Sequence, residues 1–181
     1  MRLFVAVEIS AEIRERITEF VDQIRPRLAP ARWSHPEGLH ITLKFLGNVA
    51  DQRRAPIEDA LARIKASPFH LSLRNIGVFP NPKSPRVLWV GIDSGPELPE
   101  LAGRTDDALA PLGFEREKRA FTPHVTLARF KEGSRTSNVT AALSETNLSF
   151  GTMTATEFHI YESKLSPKGA SYNKLRSFAL R

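Results

Sequence analysis

Leu39-His40-Ile41-Thr42-Leu43-Lys44-Phe45-Leu46 is the stretch from which the fold of this chain is read. Ile41, Leu43 and Phe45 alternate with His40, Thr42 and Lys44, the period-two pattern of a β-strand with one buried face and one polar face. On such a strand His40 and Thr42 point the same way, about 7 Å apart. The frame returns 84 residues later as His124-Val125-Thr126-Leu127, so two of the five histidines share one aliphatic-threonine-leucine setting. At ordinary residue usage, two such hits among five arise on the order of once in 10^4 to 10^5 chains. The repeat predicts two similar strands, each presenting an imidazole and a hydroxyl on its polar face.

Imidazole titrates at about 6.5, so it can give or take a proton near neutrality. Two imidazoles at one site can do both, each contributing about 10^2 to 10^4-fold to a reaction that needs an acid and a base. Threonine hydroxyls beside them can hydrogen-bond an anion, where donors set in advance help most as charge grows on non-bridging oxygens. The pattern reads as a phosphoester site. A lone His-x-Thr on a strand is ordinarily solvent-facing or structural, and it is the duplication that argues otherwise. A zinc site is disfavoured, because no Cys, Asp or Glu stands at ligand spacing and zinc takes three or four protein ligands. A serine triad is disfavoured too, since no Gly-x-Ser-x-Gly elbow occurs.

Segments flanking the motifs carry a resemblance. Arg2-Leu3-Phe4-Val5-Ala6-Val7, Leu39 to Gly47, Phe79-Pro80-Asn81-Pro82, Pro85-Arg86-Val87-Leu88-Trp89, Pro123 to Arg129 and Ser163 to Ala170 resemble, in order along nearly the whole chain, the 2H phosphoesterases. Within them the resemblance is to the RNA 2',3'-cyclic phosphodiesterase branch, also called 2'-5' RNA ligase or LigT-like. It implies opening of a terminal 2',3'-cyclic phosphate on RNA to a 2'-phosphate, without metal or cofactor, and a weak reverse joining of 2'-5' linked ends. It further implies that His40 is the general acid on the leaving 3'-oxygen and His124 the general base on water. Thr42, Thr126 and Arg129 would bind the phosphate. Strict alternation sets Arg129 on the face opposite His124 and Thr126, so either the strand ends or bulges before it, or its long side chain curls round the edge. Lys44, sharing parity with His40 and Thr42, is a candidate for lining the cleft.

Composition agrees. Lys and Arg outnumber Asp and Glu by 26 to 20, a formal charge of +6 that suits a polyanionic partner. No cysteine is present, which removes disulfides and thiolate metal sites. Glu8 interrupts the alternating Leu3, Val5 and Val7 before a signal core or membrane span can form, so the expectation is a soluble cytoplasmic protein, with a monomer as the default state. The 181 residues suit a single catalytic domain, 1–181, of two intimately packed lobes with motifs at 40–43 and 124–127.

Between the motifs the pattern alternates. Ser10 can cap a helix whose apolar face is Ile13, Ile17, Phe20, Val21, Ile24 and Leu28, ended by Pro26 and Pro30. Asp51 can open a second helix, with strands at about 69–79 and 86–92 after it and a proline-rich loop from Pro80 to Pro85 between them. A helix from about Glu97 to Leu112 ends at Gly113, followed by the second motif strand and a short helix at about 137–144. Strands at about 148–156, 157–165 and 172–180 complete the chain, with a turn at 166–169. The fold class is α+β. The resemblance sharpens this to a bilobal, pseudo-two-fold-symmetric fold, two antiparallel sheets facing a central cleft with helices outside. Two other activities fit the same residues: hydrolysis of a small cyclic phosphate such as a cyclic nucleotide or an ADP-ribose cyclic phosphate, or RNA-end binding without catalysis. The matched histidines favour catalysis, since arginine or lysine serves a binder better. Phe45, Trp33 and Tyr161 are candidates for stacking on a base, although each also suits a core position.

Overall fold

Residues 3–7 are buried on both faces, so the first strand sits inside the sheet and not at its edge. This is the start of a computed structural model that describes residues 1–28, 30–131, 137–144, 147–167 and 169–181, without the side chains at 137, 138 and 140. In order the elements are β1 (Arg2–Glu8), α1 (Ala11–Ile24), β2 (Ala31–Trp33), β3 (His40–Asn48), α2 (Arg54–Ala62), β4 (Phe69–Phe79) and β5 (Val87–Ser94). Then come α3 (Glu97–Leu109), β6 (His124–Phe130), α4 (Ser137–Leu143), β7 (Ser149–Ala155), β8 (Glu157–Ser166) and β9 (Gly169–Ala179). Lys168, in the turn expected between the last two strands, lies outside the described residues.

Local chemistry accounts for most boundaries. The Ser10 hydroxyl accepts from the Ile13 N–H at 3.4 Å and caps α1, whose Ile13, Ile17, Phe20, Val21 and Ile24 are buried on one face. Pro26 stops the helix in a short 3-10 turn. Asp51 begins a 3-10 turn that leads into α2, and it lies 3.7 Å from the N-terminal amine. Gly113 closes the end of α3 with φ of 82°, a left-handed conformation that favours glycine.

All strand pairs are antiparallel, in the order β7-β4-β5-β6-β3-β1-β8-β9, with β2 added beside β6. The sheet has two arms of four strands, β3-β1-β8-β9 and β6-β5-β4-β7. Each arm borrows from the other half of the chain, because β4 pairs with β5 and β8 pairs with β1. The two sheets expected from the sequence are these two arms, which run on into one continuous, curled sheet through the pair Ile41↔Val125. Both aliphatic side chains are fully buried, and burying them together brings the motif strands side by side.

Helices cover one face. Phe20 of α1 meets Phe150 of β7 edge-on at 5.3 Å, while α2 and α3 pack on each other, on β9 and on β3. The other face is left as a concave cleft. Among the described residues no helix is long and apolar enough to cross a membrane.

Candidate active site

Each motif strand carries a β-bulge at its motif leucine. Across β1 and β3, Ala6 pairs with Thr42 and Val5 with Lys44, so Leu43 is the extra residue. Across β5 and β6, Trp89 pairs with Thr126 and Leu88 with Ala128, so Leu127 is extra. One inserted residue reverses the alternation beyond it. Phe45 and Arg129, five residues after their histidines, thus return to the histidine face, and both line the cleft. Of the alternatives for Arg129, the structure shows the bulge.

The same reversal turns Lys44 away from the cleft. Its side chain is buried, bonded to Asp106 of α3 and donating to the Glu115 carbonyl at 2.7 Å. Lys44 is therefore a strut between β3 and α3 and not a cleft residue, contrary to the reading from parity.

His40, Thr42, His124, Thr126 and Arg129 all line one cleft of about 500 Å³. On either side of the Ile41↔Val125 pair, antiparallel geometry sets His40 toward Thr126 and Thr42 toward His124. The four side chains form a square about the local two-fold axis, each imidazole diagonal to the other. Both rings are pinned alike. His40 Nδ1 donates to the Gly38 carbonyl at 2.6 Å, and His124 Nδ1 to the Thr122 carbonyl at 2.8 Å. A proton fixed on Nδ1 leaves Nε2 of each neutral ring as a lone pair.

The repeat seen in the motifs extends over the sequence. The model of the LigT-like phosphoesterase family matches twice, at residues 7–89 and 90–172, with one motif in each match. An Archaeoglobus fulgidus protein named RNA 2',3'-cyclic phosphodiesterase is 38% identical over 179 residues, covering 98% of this chain and 99% of that one. The chain belongs to the LigT-like phosphoesterase family. The crystal structure of Escherichia coli LigT complexed with 3'-AMP is 30% identical with a TM-score of 0.83, covering 99% of this chain and 97% of that one. A Thermus thermophilus crystal structure is 29% identical with a TM-score of 0.84, covering 100% of this chain and 98% of that one.

Within this LigT-like cleft the two imidazoles have different surroundings. Burial, with a smaller contribution from the nearby His124, lowers the pKa of His40 to about 4 against the opposing hydrogen bond to Gly38. Phe4 lies 4.6 Å from its ring and Tyr172 stands edge-on at 5.2 Å. His124 is also lowered, first by burial and then by the charge of Arg129, with the Thr122 hydrogen bond opposing. Phe79, the last residue of β4, meets the His124 ring edge-on at 5.1 Å, so the proline-rich loop begins beside the site.

Several LigT-like cleft residues escape the sequence reading. Arg2, Arg32, His35 and Tyr172 line it, with Tyr172 38% exposed. Its ring lies over Gly38, where an added Cβ would sit 2.7 Å from a ring carbon, so the ring braces the loop whose carbonyl holds His40. Nothing in the local pattern around Tyr172 marks it; only the β8–β9 hairpin brings it there. Of the stacking candidates, Phe45 is 65% exposed and Trp33 lines the cleft, while Tyr161 is buried against Phe4. His70 bonds Thr154 and His159 bonds Ser177, both outside the cleft. Among the described residues no group of three or more His, Cys, Asp and Glu side chains is placed to hold a metal ion.

Proposed function

We propose that this protein hydrolyses terminal 2',3'-cyclic phosphates of RNA to 2'-phosphates, using His40 as general acid and His124 as general base. The observation that carries this is the pair of imidazoles on one cleft, each with Nδ1 held by a backbone carbonyl and Nε2 left to act. The names of its relatives, RNA 2',3'-cyclic phosphodiesterase, support the substrate, and 3'-AMP in the E. coli LigT crystal supports a nucleotide in the cleft.

In the step itself, His124 Nε2 takes a proton from water as the water oxygen bonds to phosphorus. The bond from phosphorus to the 3'-oxygen breaks, and protonated His40 delivers its proton to that oxygen. His40 is held neutral in the free protein, and the anionic phosphate between the rings restores its affinity for the proton. Thr42, Thr126 and Arg129 donate to the non-bridging oxygens, where charge grows. No step requires a metal, since acid, base and anion donors are all side chains. With a 5'-hydroxyl in place of water, the same site forms a 2'-5' linkage, the weak joining that accompanies hydrolysis. Binding an anion needs donors but not a matched acid and base, so the paired histidines suit catalysis better than binding alone. A monomer fits this reading, because one chain supplies both histidines, both threonines and Arg129, and an RNA substrate suits a cytoplasmic enzyme.

The test is an assay on an oligonucleotide with a 2',3'-cyclic end, in excess chelator, reading the position of the product phosphate. A 2'-phosphate is expected. A 3'-phosphate would reverse the acid and base assignment, and activity lost with chelator and regained with metal would end the metal-free mechanism.

A further inference from the structure

Arg32 of β2 and Arg129 of β6 stand directly opposite each other in the sheet. Opposed residues of an antiparallel pair project from the same face, with Cα atoms about 4.5–5.5 Å apart. Both arginines are exposed and both line the cleft. Like charges set opposite each other weaken a sheet, and among the described residues neither guanidinium has a carboxylate partner. By contrast, Arg14, Arg54 and Arg116 each lie within 4 Å of a carboxylate. The opposed pair becomes favourable once an anion lies over it.

The backbone holds Arg32 firmly in place. Beyond the Ile41↔Val125 pair, β3 leaves the edge of β6 and β2 takes it over, pairing Trp33 with Ala128 and Ala31 with Phe130. The Ser34 N–H donates to the Leu127 carbonyl and the Ser34 hydroxyl to the Thr126 carbonyl, each at 2.8 Å. Arg25 lies over the Trp33 ring at 5.4 Å. Arg32 is thus clamped to the motif strand, one step along the cleft from the histidine pair. A guanidinium has five donors, so Arg129 can face the reacting phosphate and share the next anion with Arg32.

We propose that Arg32, together with Arg129, forms a second phosphate site that takes the internucleotide phosphate on the 5' side of the terminal nucleotide. The preferred substrate is then an oligonucleotide with a cyclic end and not a cyclic mononucleotide. This rests on the hydrolytic reading above.

The experiment compares a 2',3'-cyclic mononucleotide with a trinucleotide ending in the same cyclic nucleotide, using the native protein, Arg32→Gln and Arg32→Lys. The native protein is expected to show a kcat/KM at least about tenfold higher on the trinucleotide. Arg32→Gln brings that ratio close to one, and Arg32→Lys restores part of it. An unchanged ratio in Arg32→Gln overturns the proposal, and so does an equal loss on both substrates, which would assign Arg32 to the reacting phosphate. Binding of a trinucleotide ending in a 2'-phosphate, measured against salt, is a second readout. Arg32→Gln should reduce the slope of log affinity on log salt by about 0.7, the increment for one neutralised phosphate of a single strand. If neither cyclic substrate is opened, the hydrolytic reading fails while the binding measurement still decides the second site: a slope unchanged by Arg32→Gln overturns it.

Discussion

The proposed acid and the proposed base are the same side chain, so what tells them apart is what surrounds each. His40 is walled by Phe4 and Tyr172, and His124 lies nearer Arg129 and Phe79. Replacing either histidine with alanine is expected to lower turnover by about 10^2-fold or more with RNA binding retained, measured by single-turnover kinetics beside a binding titration. Near-normal turnover in either variant removes that residue from the mechanism. The depressed pKa of His40 also has a consequence for stability. With a pKa of about 4 folded and 6.5 unfolded, the unfolded chain binds the extra proton between those values. The stability tied to a neutral His40 is therefore complete above pH 6.5 and is lost as pH falls toward 4. Between pH 7 and pH 4.5, His40→Gln should lose about 2 kcal/mol less stability than the native protein in urea unfolding. Equal acid sensitivity would mean that His40 is not held neutral.

At the scale of the element, the bulges decide which residues share a face. Without the extra Leu43 and Leu127, Lys44 and Ala128 would face the cleft, and Phe45 and Arg129 would face the helices. Lys44 instead pairs with Asp106 and ties β3 to α3. Lys44→Met leaves Asp106 without its partner in a largely buried position, and about 3–5 kcal/mol of stability should be lost in urea denaturation. Lys44→Met combined with Asp106→Leu should recover much of it, and a harmless single variant would show that the strut carries no energy. The strands and helices themselves were largely legible from residue spacing: the apolar face expected for α1 is the buried one, apart from half-buried Leu28. Two features were not. A bulge is chosen by the partner strand, so alternation alone left Arg129 undecided and misplaced Lys44. Strand β2 is three residues long, too short to show a period, and forms because β3 vacates the edge of β6.

At the scale of the whole molecule, the arms interleave. Because β4 completes the arm of β5 and β8 that of β1, neither half of the sequence holds a complete arm. Unfolding should therefore be one transition. Trp33 and Trp89 lie on β2 and β5, while Tyr161 and Tyr172 lie on β8 and β9, so the two residue types report on different arms. Their urea transitions, followed by fluorescence and near-ultraviolet absorbance, are expected to coincide. Ile41→Ala, at the junction, should lower stability by about 2–5 kcal/mol and shift both transitions together. Separate midpoints would show arms that fold independently.

What the sequence determined by itself was local: two strands that each pair an imidazole with a hydroxyl, the helices around them, and a charge suited to a polyanion. These follow from covalent geometry, since the side-chain periods of strand and helix are properties of the backbone alone. What only the tertiary structure decided was neighbourhood. Burial of Ile41 against Val125 set the histidines on adjacent strands of one sheet, cross-strand register brought Arg129 back to the cleft and sent Lys44 to the helices, and the β2 edge placed Arg32 beside Arg129. Those choices depend on packing between residues far apart in the chain, which no local period encodes.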